Sequence, residues 1–64
     1  MITVHFYEHD EYGYRQDLLL STRRFADLDS AQYELEKAGF EQVKLFTYYK
    51  PNGGNGILAR IINV

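Results

Sequence analysis

Phe25-Ala-Asp-Leu-Asp-Ser-Ala-Gln-Tyr-Glu-Leu-Glu-Lys-Ala-Gly-Phe40 is the stretch that decides the fold, because it is the one good helix in the chain. Leu28, Ala31, Leu35 and Ala38 recur at helical spacing and form a narrow apolar stripe. Asp27 is placed to cap the N-terminus, and Asp29 adds negative charge to the first turn, where the helix dipole favours it. Gly39 stands where a left-handed residue ends a helix, and Phe40 can fold back onto the last turn.

On either side of the helix the sequence turns strand-like. Residues 2–8 alternate, with Ile2, Val4 and Phe6 on one face and Thr3, His5 and Tyr7 on the other. Residues 9–13 supply turn chemistry, with Asp10 and Gly13 placed to enter and leave a tight bend. Residues 14–22 read as a second strand, in which Leu18, Leu19 and Leu20 put leucine on both faces. Arg23, Arg24 and Phe25 then lead into the helix.

Downstream, residues 42–50 read as one continuous strand. Val43, Leu45, Thr47 and Tyr49 are expected on one face, and Lys44, Phe46, Tyr48 and Lys50 on the other. Pro51-Asn-Gly-Gly-Asn-Gly56 breaks the chain. Residues 57–64 form the last strand, with Ile57, Ala59 and Ile61 opposing Leu58, Arg60, Ile62 and Val64.

The expected fold is therefore α+β in the order β-β-α-β-β, a single domain over residues 1–64. Its four-stranded antiparallel sheet carries the helix on one face. One helix covers one face, so the other should expose His5, Tyr7, Leu19 or its neighbours, Phe46, Tyr48 and a set from the last strand. A patch of that kind exceeds what monomers usually show to water, which predicts a homodimer or another protein docked there.

Size and composition narrow the function. A core built from 64 residues rarely supplies more than about 3–5 kcal/mol without staples. The chain has no cysteine, so no disulfide or thiolate zinc site reinforces it, and a cytoplasmic setting is expected. At 45% hydrophobic and 16% aromatic it is too rich in core formers to be disordered. The net charge of −2 argues against bulk capture of nucleic acid and against a basic membrane-surface domain. No apolar run is long enough to span a membrane, and the first ten residues lack the order of a signal peptide.

Metal, cofactor and catalytic constellations are not expected. His5 and His9 share helical metal-pair spacing, but in a strand four residues span roughly 13 Å. Glu8, His9, Asp10 and Glu11 read as a solvated hairpin tip. The glycine-rich segment before Ile57 lacks the Lys, the Ser or Thr and the helix of a phosphate loop. Ser21 and Ser30, the only serines, have no evident histidine and carboxylate partners, and Ser30 sits where helix capping is expected.

Binding is the remaining class. Tyr7, Tyr12, Tyr14, Phe46 and Tyr48 are the candidate anchors of a protein interface, since aromatics bury much area at little entropic loss. Glu8, Asp10 and Glu11 would supply charge at the rim. The alternative is a single-stranded nucleic-acid surface of Lys44, Phe46, Tyr48, Lys50 and Arg60, where basic and aromatic residues alternate on a sheet. Nine acidic against seven basic residues weigh against it.

In size, lack of cysteine and the helix segment Phe25-Ala-Asp-Leu-Asp-Ser-Ala between two hairpins, the chain resembles small phage and mobile-element inhibitors of the anti-CRISPR kind. The resemblance implies a non-enzymatic protein that binds and blocks a host protein. It supplies no motif, so no residue role is carried over, and the modest net charge departs from the strongly acidic members.

Overall fold

A computed structural model describes residues 1–9, 18–53 and 55–63. The elements are β1 (Ile2–His9), β2 (Leu18–Phe25), α1 (Leu28–Lys37), β3 (Glu41–Lys44), β4 (Thr47–Asn52) and β5 (Asn55–Ile62). The five strands form one antiparallel sheet in the order β2-β1-β5-β4-β3. The α+β class and the helix-on-sheet plan hold, but the sheet has five strands rather than four.

The fifth strand arises where the sequence reads as continuous. Residues 42–50 break at Leu45–Phe46, a two-residue turn that folds β3 back on β4. Phe46 takes φ 62°, a left-handed conformation that costs a bulky residue free energy. Two contacts offset that cost: Phe46 packs against the core, and its carbonyl accepts from the Ile61 amide at 2.9 Å. A second correction lies in β2, which includes Arg23, Arg24 and Phe25 rather than ending before them.

The helix terminates as its sequence dictates. Asp27 accepts from the Ser30 amide at 2.8 Å, so Ser30 serves the cap as its donor. That amide, and then the Ser30 hydroxyl, hold the Asp27 carboxyl below its ordinary 3.8. At the other end Gly39 (φ 98°) donates to the Glu36 carbonyl and Phe40 to that of Leu35, both at 3.0 Å. This reciprocal pair closes the helix in a Schellman arrangement and tucks Phe40 inward. Of the apolar stripe, Ala31 and Leu35 are buried, Leu28 is partly buried, and Ala38 caps the helix in the open.

The core lies between α1 and one sheet face. Val4, Phe25, Ala31, Leu35, Phe40, Tyr48, Ala59 and Ile61 form it, with Ile2, Phe6, Leu28, Phe46 and Ile57 packed at its margin. The alternation expected in β1 and β5 holds: Val4 faces Ile61 and Phe6 faces Ala59, all on the helix side. Tyr48 also faces Ala59, which places it on the helix side at 1% exposure.

Candidate binding face

The sheet face away from α1 is built by the opposite parity of each strand. Antiparallel partners share a face, so the register assigns it row by row. One row runs Thr22–His5–Arg60–Thr47–Lys44 across all five strands. The next runs Leu19–Tyr7–Leu58–Tyr49–Glu41. Arg24, Thr3 and Ile62 extend the face beyond the first row. A polar, basic row thus lies beside an aromatic and apolar one.

Contacts within these rows fix the long side chains. The Arg60 guanidinium lies over the Tyr7 ring, 4.8 Å from its centroid. His5 meets the same ring edge-on, its Nδ1 3.2 Å from the Tyr7 hydroxyl. The Tyr49 ring lies against Gly56 so closely that a Cβ there would fall 2.2 Å from ring atoms. Glycine at this position is what lets an aromatic ring rest on the β5 backbone. Leu58 and Thr47 are buried, whereas His5, Tyr7, Tyr49 and Arg60 are half-buried.

This arrangement corrects the expected second apolar face. The exposed large apolar side chains are Leu19, Leu20, Val43 and Leu45, with Met1 and Tyr33, among the described residues. Four of these six lie on the edge strands or in the β3–β4 turn; none lies on β1, β4 or β5. The middle of the face is covered by the protein's own tyrosines and Arg60. The three leucines expected to alternate across β2 fall beside an irregularity, where pairing passes from Phe6–Ser21 to Tyr7–Leu19.

Charge divides between the two sides of the molecule. Among the described residues the helix-free face carries Arg24, Arg60 and Lys44 with Glu41 at the β3 edge, while Arg23, Lys37 and Lys50 lie on the helix side. Asp27, Asp29, Glu34 and Glu36 all belong to α1 or its cap. Glu8 pairs with Leu18 and Ile57, which places it on the helix side, where Asn55 Nδ2 donates to it at 3.5 Å. Acidic and basic side chains are equal in number among the described residues, so the basic character of this sheet face comes from how they are distributed and not from their total.

The expected site residues are scattered by this geometry. Tyr7 lies on the helix-free face, under the Arg60 guanidinium. Glu8 is on the other side of the sheet. Asp10, Glu11, Tyr12 and Tyr14 lie outside the described residues. Tyr48 cannot serve as an anchor, because it is a core side chain under the helix. Phe46 is a turn residue that leans on the core.

The nucleic-acid set breaks up in the same way. Lys44 and Arg60 share the helix-free face through Thr47. Lys50 does not join them: its Nζ donates to the Ala38 carbonyl at 2.8 Å and lies 5.7 Å from the Phe40 ring centroid. The turn at Leu45–Phe46 is the cause, since it takes Lys44 out of the alternation that carries Tyr48 and Lys50. His5, Thr47, Tyr49 and Leu58 were absent from both sets. The alternation of residues 42–50 and 57–64 already put Tyr49 opposite Tyr48 and Leu58 beside Arg60.

Among the described residues no three His, Asp or Glu side chains gather as metal ligands. No helix there is long and apolar enough to cross a membrane. Comparison of the chain with protein-family models, with characterised proteins and with solved structures finds no match.

Proposed function

We propose that the protein is a non-enzymatic interaction module that binds an acidic segment of another protein on its helix-free sheet face. The observation that supports this reading is the segregation of charge, with Arg24, Arg60 and Lys44 beside Tyr7 and Tyr49 on one side. Arg and Tyr are the residue types that dominate interface hot spots. Arg60 is held over Tyr7, so its placement costs less entropy on binding. Such a protein acts by occupancy, blocking its partner's surface as a small inhibitor does.

A homodimer formed by this face is the competing occupant. It opposes a basic patch to its own copy, which like-charge repulsion disfavours. Light scattering at two protein concentrations and two salt levels distinguishes them: a monomer at all four supports a free face, and a salt-resistant dimer removes it. Partner capture from a lysate should then be lost in Arg60→Glu and kept in Glu36→Gln, on the helix. Equal capture by both variants would overturn the reading.

A second reading is favoured by the row Thr22–His5–Arg60–Thr47–Lys44, which crosses five strands over about 19 Å. A basic track beside aromatic rings is the surface on which single-stranded nucleic acid stacks. Fluorescence polarisation with labelled single-stranded DNA and RNA tests it. Affinity that falls steeply with salt supports the nucleic-acid reading, and no binding at low salt dismisses it.

A further inference from the structure

The β4–β5 connection contains two Asn-Gly sequences, Asn52-Gly53 and Asn55-Gly56, three residues apart. Their surroundings differ sharply. Asn52 is exposed and forms the last ladder pair, with Asn55. Gly53 lies beyond that pair with φ 68°, and a Cβ there would meet nothing within 4 Å. Gly56 is buried in the sheet, paired with Pro51 of β4 and with His9 of β1. The Tyr49 ring rests on it, and the Asn55 side chain donates to Glu8.

We infer that Asn52 is a site of spontaneous deamidation and isoaspartate formation, and that the fold protects Asn55 from the same reaction. The Gly53 amide nitrogen attacks Asn52 Cγ, forming an N–Cγ bond. The Cγ–Nδ2 bond breaks, and ammonia leaves with the proton released by the Gly53 amide. Water then opens the resulting succinimide at either carbonyl, giving aspartate or isoaspartate. The net change is one water consumed and one ammonia released, with no oxidation.

Reaction at Asn52 requires only that the terminal pair frays, which is among the cheapest motions of a folded chain. Reaction at Asn55 also requires Gly56 to leave both neighbouring strands and the Tyr49 ring, a costlier opening than fraying of the last pair. The product adds one negative charge to a chain of net −2. The isoaspartate branch also lengthens the β4 backbone by one methylene at its final pair.

The test is incubation of the intact protein at mildly alkaline pH, with time points resolved by peptide mass spectrometry and isoaspartate detection. A parallel sample in denaturant calibrates the intrinsic rate of each asparagine. Conversion at Asn52 in the folded protein should exceed that at Asn55 by roughly tenfold or more, and the two should converge in denaturant. Equal rates in the folded protein would overturn the inference. So would folded-state conversion at Asn52 suppressed as strongly as at Asn55.

Discussion

Gly56 and Tyr49 show how one missing side chain shapes the binding face. A Cβ at Gly56 would fall 2.2 Å from the Tyr49 ring, so Gly56→Ala must displace an aromatic ring held beside buried Leu58. The expected loss is about 1–3 kcal/mol in urea unfolding, and the same substitution should cost much less in a Tyr49→Ala background, where no ring is left to displace. Asp27 gives a pH-dependent prediction. Its folded-state pKa lies below the ordinary 3.8, so its contribution is full above that value and is lost as pH falls through the folded pKa. Asp27→Asn should therefore be less stable than the parent at neutral pH and approach it in acid, read by thermal melts. The cap was legible because its partners lie within three residues. The role of Gly56 was not, since its neighbour Tyr49 is brought to it only by the β4–β5 register.

Among elements, the β3–β4 pair was the one the sequence concealed. Residues 44–47, Lys-Leu-Phe-Thr, contain no Gly, Pro, Asn or Asp, so no local signal marks a turn. The turn exists because tertiary contacts hold Phe46 in a conformation it would not choose alone. The helix, by contrast, carries its own start and stop signals, and its cap at Asp27 and its glycine at 39 were both readable. Lysines grouped by a strand alternation become separable by experiment once the turn is known. Lys50→Ala should cost about 1 kcal/mol, because it releases the Ala38 carbonyl and uncovers Phe40. Lys44→Ala, on the edge strand, should stay within about 0.5 kcal/mol. Denaturant titration of the two variants side by side checks both values.

At the scale of the whole molecule, net charge says nothing about where charge lies. A sum over the chain cannot report that, among the described residues, four of the acidic side chains belong to α1 or its cap while Arg24, Arg60 and Lys44 share the far side of the sheet. Arg60→Glu inverts the centre of that face without touching the helix side, and it should abolish binding to an acidic partner while leaving circular dichroism unchanged. The single helix and the alternation of β1 and β5 were enough to read the layer order. What covers the sheet's second face was not readable, because Tyr7, Tyr49 and Arg60 do so through cross-strand contacts.

The position of β5 has a kinetic meaning. It is the last described strand in the sequence, yet it lies at the centre of the sheet, between the first strand and β4. During synthesis the β1–β2 and β3–β4 hairpins can each form early, but no strand ladder joins them until β5 emerges. Native structure must therefore appear late and all at once, through a rate-limiting step that closes the long β1–β5 loop. A chain ending at Asn52 should show no cooperative unfolding transition, and stopped-flow refolding of the full chain should follow a single exponential. Until that strand is in place, the leucine-rich β2 edge and the unpaired β1 and β4 edges are all open to other chains, so misassembly during production should be concentrated in this interval.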